Sequence, residues 1–260
     1  MSLFEELIED KELDDKIVKS FKSKDTLSNQ IFEEESGKYK MREDIRKKLM
    51  EISDNFIDTL GVEFFIHDIV LTGSLANYNW SNFSDVDLHI LIDFDEIDGG
   101  NKKDSKGINS IVKEFFDAKK NVWNETHNIV IKGYDVEIYV QDVDEEHISS
   151  GVYSILHNQW LVEPEKTEPN IDDRLILEKG TEYGNKIDEL LNLAKKGVDV
   201  IGKIDELRKK LKKFRQSGLD SGGEYSYENL TFKLLRRNGY IEKLLKLKTD
   251  ITDKKLSITQ

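Results

Sequence analysis

Only two prolines occur in the 260 residues, Pro164 and Pro169, and both fall in the run EPEKTEP. Each biases its predecessor towards an extended backbone, so no helix can run through this stretch. The chain reads differently on its two sides. Before it, strand-like alternation and helical spacing of apolar residues take turns; after it, nearly everything reads as helix. The expectation is an α+β domain over residues 1–163, with a mixed sheet flanked by helices, then a helical C-terminal domain over 170–260. A chain of this length can bury a sizeable core without cross-links, and it has no cysteine to make disulfides or thiolate metal sites.

The first region opens with two helical segments. The second, over about 41–60, sets Ile45, Leu49, Ile52, Phe56 and Leu60 on one face. IHDIVLT (66–72) and VDLHILIDF (86–94) read as strands, and GGNKKDSKG (99–107) as a polar loop. A helix over about 105–125 follows, with Ile108, Ile111, Val112, Phe115 and Phe116 on one face. NIVI and YDVEIYV form a hairpin about Lys132-Gly133, and GVYSIL with WLVE forms another short pair. Beyond the prolines, helices are expected over 172–193, 198–216 and 226–248, broken at SGLDSGGEYS by glycines and caps.

The run that carries chemistry is LTGSLANYNWSNFSDVDLHILI, residues 71–92. A strand ends at Thr72, Gly73-Ser74 opens a short helix, and a spacer of ten residues leads to Asp85-Val86-Asp87 entering the next strand. Residues two apart in a strand share a face, so the two carboxylates are neighbours. Like charges that close repel unless a cation lies between them. Magnesium suits: a hard cation commonly held by one or two carboxylates together with substrate phosphates. Gly73 permits close backbone approach, and amides at the following helix N-terminus, with the Ser74 hydroxyl, favour a phosphate.

Gly-Ser, the spacer, then Asp-x-Asp and a hydrophobic strand resemble the signature of the DNA polymerase beta nucleotidyltransferase superfamily, over roughly residues 40–145. That superfamily includes oligoadenylate and cyclic-oligonucleotide synthases, CCA-adding enzymes and antibiotic nucleotidyltransferases. The resemblance implies a nucleotidyltransferase fold and a third carboxylate on a neighbouring strand. YDVEIYV offers Asp135 and Glu137 on its polar face; Glu137, between Val136 and Ile138, matches the apolar-acidic-apolar pattern better, although many members carry Asp there. It further implies Mg2+ or Mn2+ held by Asp85, Asp87 and Glu137, and a nucleoside triphosphate, expected to be ATP. The run at 215–244 resembles a stretch of phage-type nucleotidyltransferase-like proteins.

Tyr139, Tyr153 and Ser154 are candidate base or acceptor contacts, with His89, His157 and Trp160 beside them; for each, a core role competes. Lys212, Lys213 and Arg215 are candidate triphosphate contacts, with Lys212 and Arg215 preferred and the rest of the cluster, Lys209 included, read as solvated. Of Arg236 and Arg237, one is expected to face the cleft or a carboxylate and the other water. Glu224, Glu228 and Asn229 read first as caps. The formal net charge of −13 disfavours wholesale nucleic-acid binding, yet residues 203–248 hold thirteen Lys and Arg against six Asp and Glu, a local +7. An acceptor bearing phosphate is therefore favoured, with RNA among the candidates. No apolar tract is long enough to span a bilayer, and the acidic start lacks a signal peptide's basic flank. The expected location is cytoplasmic, or host cytoplasm for a viral chain.

The expected reaction moves a nucleoside monophosphate from a triphosphate to an acceptor hydroxyl, with a cleft between the two domains. The alternatives are a second-messenger synthase and a catalytically idle nucleotide-binding module serving as a regulatory or structural part.

Overall fold

The computed structural model describes residues 12–62, 64–97, 105–145 and 149–258, with backbone alone at 105–109. The chain divides into two compact units. One joins the segment up to Lys22 to everything from Glu168 onward; the other is Ser23–Thr167. The division falls inside EPEKTEP. Helix α1 (12–19) groups with the helical unit, although the sequence analysis assigns it to the first region. Its neighbours explain why. Asn238 Nδ2 donates to Asp14 Oδ1 at 2.9 Å, and Arg237 Nη1 donates to Ser20 Oγ at 2.9 Å.

The Ser23–Thr167 unit begins with a hairpin, β1 (Phe32–Glu35) and β2 (Lys38–Met41). Helix α2 (Glu43–Asp58) follows, burying Ile45, Leu49, Ile52 and Phe56 as its periodicity predicts. Next come β3 (Ile66–Thr72), a 3-10 turn (Ser74–Ala76), β4 (Val86–Ile92), α3 (Phe94–Ile97) and α4 (Ser105–Thr126). Strands β5 (Val130–Ile131), β6 (Tyr134–Asp142), β7 (Val152–Ser154) and β8 (Gln159–Val162) complete it. The polar loop expected over 99–107 lies outside the described residues up to 104, and its last three residues open α4.

The sheet order is β5-β6-β4-β3-β7-β8. Strands β4 and β6 run parallel and all other neighbours antiparallel, so the sheet is mixed. A parallel pair needs a crossover, and α3 with α4 supplies it. Period-two alternation divides β4 cleanly. Val86, Leu88, Ile90 and Ile92 are buried in a core shared with α2 and with Phe116 and Trp123 of α4, while Asp87 and His89 take the other face. Two α4 residues depart from the expected face: Ile111 is 66% exposed and Phe115 37%. The buried stripe is Phe116 and Trp123, flanked by Val112, so Ile111 and Phe115 fall at its outer edge; Ile108 lies outside the described side chains.

The other unit contains α5 (Asp173–Lys195), α6 (Ile201–Gly222), α7 (Tyr227–Arg237) and α8 (Tyr240–Leu256). Its core gathers Tyr183, Ile187, Leu190, Ile204, Leu207, Leu211, Leu235 and Leu244. The expected break at 217 does not occur. Gly218 stays helical and buried, and a Cβ there would stand 2.6 Å from Glu228 Cβ. That glycine serves close packing of the α7 start, not helix termination. The run expected unbroken over 226–248 is instead cut at Gly239, which adopts a left-handed φ of 81° between α7 and α8. Among the described residues no helix is long and apolar enough to cross a membrane.

Candidate active site

The polar row on the sheet is built by register. Thr72 pairs with Asp87 across the antiparallel β3–β4 ladder, and Asp87 pairs with Glu137 across the parallel β4–β6 ladder. Cross-strand partners share a face, so Asp87 and Glu137 are direct neighbours on it. Asp85 stands just before β4, two residues from Asp87. Asp135 pairs with Val130 at the narrow end of the sheet and is exposed, whereas Glu137 is half-buried.

Glu137 is held from two sides. The Asn124 side chain of α4 clasps the next residue, donating to Ile138 O and accepting from Ile138 N, both at 3.1 Å. The Tyr139 hydroxyl donates to Glu137 Oε2. The Tyr139 ring stacks on His89 at 4.8 Å and carries Lys120 Nζ at 4.6 Å from its centroid. His89 Nδ1 in turn donates to Gln141 Oε1 at 2.9 Å. His89 and Tyr139 thus extend the polar row as a braced pair.

Gly73 has a φ of 73°, and a Cβ on it would lie 1.8 Å from Asp87 Oδ2. Only glycine lets the backbone pass the carboxylate there. Its N–H donates to Ser149 Oγ at 3.3 Å. The Ser74 hydroxyl donates to Ser84 Oγ at 2.7 Å, and Ser84 Oγ also accepts Ser81 N–H at 2.9 Å, so hydroxyls close the loop on itself. The short helix expected after Gly73 is a single 3-10 turn, Ser74–Ala76, so amides and hydroxyls rather than a helix dipole are what this corner offers a phosphate.

Sequence reasoning missed the segment that shuts this corner. Ser149 accepts from Gly73, Ser150 Oγ accepts from Asn77 Nδ2, and Gly151 packs so tightly that a Cβ would meet Ala76 O at 2.0 Å. The signal available was Ser-Ser-Gly immediately before a strand. Asn124 was also missed; a lone Asn on a helix carries no pattern.

Two candidates are corrected. Tyr153 turns into the opposite, helix-covered core, 1% exposed, where its hydroxyl accepts Met41 N–H and donates to Asn158 Oδ1. Its aromatic neighbours there are Phe32 and Trp160, and Trp160 packs partly buried against the same core. Ser154 is fully buried; its hydroxyl donates to Asp68 Oδ1 and accepts His157 N–H, which commits it to structure. Burial raises the Tyr153 phenol above its ordinary range.

Lys212 and Arg215 lie on α6, in the helical unit. With Arg208, Lys209, Phe232 and Leu244 they line a cavity of about 480 Å³. Arg215 Nε donates to Asn229 Oδ1 at 3.2 Å, and its guanidinium sits 4.9 Å from the Phe232 ring. Asn229 is buried; its N–H donates to Ser226 Oγ at 3.4 Å and its Nδ2 to Glu224 O at 2.6 Å, so the cap of α7 is Ser226 and not Asn229.

No protein-family model and no curated protein sequence matches the chain. Among solved structures it is similar to the STING-associated CdnE c-di-GMP synthase from Capnocytophaga granulosa, at 14% identity over 83% of this chain and 84% of that one. The TM-score is 0.21, so the two superpose over little of their backbones.

Proposed function

We propose that the chain is a metal-dependent nucleotidyltransferase, with Asp85, Asp87 and Glu137 as its metal-holding carboxylates and Gly73-Ser74 as its phosphate corner. One observation carries the reading: Asp87 stands in register beside Glu137 while the Gly73 backbone passes directly against its carboxylate. The donor set suits Mg2+ or Mn2+, because every candidate ligand is a hard carboxylate oxygen. The absence of a Cβ at Gly73 lets the backbone run directly against the Asp87 carboxylate.

When bound, the cation neutralises phosphate charge and lowers the cost of forming the nucleophile. The residues' own part is positional. Gly73 and Ser74 would hold the β- and γ-phosphates. Glu137, oriented by Tyr139 and by Asn124 through Ile138, would accept the proton of the acceptor hydroxyl. The acceptor oxygen bonds to the α-phosphorus, the bond from that phosphorus to the bridging oxygen breaks, and pyrophosphate leaves. Lys212 and Arg215 are proposed as further phosphate contacts, ATP as the nucleotide and RNA as one candidate acceptor. His89 and Tyr139 offer a stacked aromatic surface on the same face, fit for a base or acceptor.

The test is incubation with each α-labelled triphosphate and Mg2+, with and without total RNA. Label in RNA supports transfer to RNA. A labelled small product marks the chain as a second-messenger synthase. Tight nucleotide binding with no labelled product of any kind overturns the enzyme reading in favour of a binding module.

A further inference from the structure

At the far end of β4 from the carboxylate row, a second group of ligand-type side chains converges. The β3–β4 register slips between Ile66 and Asp68, which leaves His67 as the extra, bulged residue. Bulges re-aim side chains, and this one turns His67 towards Asp93 and Glu96. One ligand atom from each of the three lies within 4.8 Å of the others. Asp93 directly follows β4 and Glu96 belongs to α3, so three separate segments contribute.

The imidazole nitrogen explains why this is more than a cluster of charges. His67 Nε2 is shielded from solvent and makes no hydrogen bond. It faces Glu96 Oε2 at 3.6 Å, beyond hydrogen-bond reach. Two carboxylates aimed at one point repel each other unless a positive charge sits among them, and a neutral imidazole nitrogen there is a ready third ligand for a cation. Two ligands on a tetrahedral zinc, each about 2.1 Å from the metal, stand roughly 3.4 Å apart. The observed separation matches that of two ligands on one cation and is too long for a hydrogen bond. The surroundings hold the group in place: the Phe65 ring packs edge-on against His67 at 4.9 Å and 90°, and Asp93 Oδ1 accepts Asp95 N–H at 2.8 Å.

We propose that His67, Asp93 and Glu96 form a divalent-cation site of the zinc class, completed by water, that ties the β3 bulge to α3. One imidazole with two carboxylates suits zinc and its first-row neighbours better than magnesium, which prefers oxygen and retains its water. Six residues of extended chain put Asp93 about 20 Å from Asp87, so this site and the carboxylate row bind independently. The proposal stands whether or not the chain is a nucleotidyltransferase.

The test uses the full chain, stripped with chelator and titrated separately with Zn2+ in a calorimeter and with Co2+ in a spectrophotometer. The expected result is a Zn2+ site that also gives Co2+ the intense visible bands of tetrahedral N/O coordination. His67→Gln and Glu96→Gln should each weaken Zn2+ binding at least about tenfold, while Asp85→Asn/Asp87→Asn keeps it. Zinc should raise Tm in the wild type and not in His67→Gln. Glu96 is exposed, so its variant guards against a folding artefact at His67. The proposal is overturned if both variants match wild-type Zn2+ affinity, or if the Co2+ bands vanish only in the Asp85/Asp87 variant.

Discussion

A methyl group at position 73 would have to occupy the space of an Asp87 carboxylate oxygen, 1.8 Å away, on a backbone already at a φ of 73°. Gly73→Ala should therefore cost more than strain. Gly61 is the internal control: its φ is 70°, and nothing stands within 4 Å of a Cβ there. Gly61→Ala should lose about 1 kcal/mol through backbone conformation alone. Gly73→Ala should lose more in thermal melts, and also weaken Mg2+-dependent nucleotide binding in calorimetry. Equal losses in both variants, with nucleotide affinity intact, would detach Gly73 from the site. The neighbouring carboxylates separate in the same manner. Glu137 is level with Asp87 and braced by Tyr139, whereas Asp135 is exposed beside Val130. Glu137→Gln should cut pyrophosphate release at least tenfold more than Asp135→Asn; the reverse order would move the third carboxylate to Asp135.

Glycines in helix α6 have opposite meanings that sequence cannot separate. Gly202 is exposed in the first turn with open space about it, so Gly202→Ala should stabilise by up to about 1 kcal/mol through helix propensity. Gly218→Ala should destabilise, because its Cβ would meet Glu228 and Ser226 at 2.6 Å. Chemical denaturation of the two variants reads the signs directly. The same contrast marks the limit of what the chain discloses by itself. The strands flanking the carboxylates and the buried face of α2 were legible, since local period decides them. The β1–β2 hairpin was not, because FEEESGKYKM lacks an apolar alternation and its turn rests on positive φ at Ser36 and Gly37. Nor was the packing of Gly218, the Asn124 clasp or the Ser149–Gly151 closure, each set by a partner distant in sequence. One further element has a pH signature. Burial pushes the Lys233 ammonium of α7 down to about 8, with Arg237, Arg236 and Arg215 adding to the shift and Glu224 opposing it. A folded-state value below the ordinary 10.5 means that the unfolded chain binds more protons between the two. Stability should therefore rise from pH 8 towards 10.5. Lys233→Met should be more stable at pH 7, by about 1–3 kcal/mol, with the gain shrinking as pH approaches 10; a gain independent of pH would exclude this cause.

Across the whole molecule, charge is distributed unevenly: the formal net is −13, yet residues 203–248 carry +7. If the acceptor is RNA, its affinity should fall steeply with salt, since each neutralised phosphate releases counterions. Replacing Lys212, Lys213 and Arg215 with Ala should flatten that slope in filter-binding titrations. Wild-type binding indifferent to salt would reject RNA and leave a small-molecule or protein acceptor. That question concerns what receives the nucleotide. Whether a nucleotide is transferred at all turns on the carboxylates that β4 and β6 carry side by side. The most direct measurement is Mg2+-dependent pyrophosphate release from nucleoside triphosphate, by wild type and by Asp85→Asn/Asp87→Asn at equal folded concentration. The account predicts release by the wild type that stops when the metal is chelated, and none above background from the double variant, with its fold retained. Release by the double variant at the wild-type rate would contradict it.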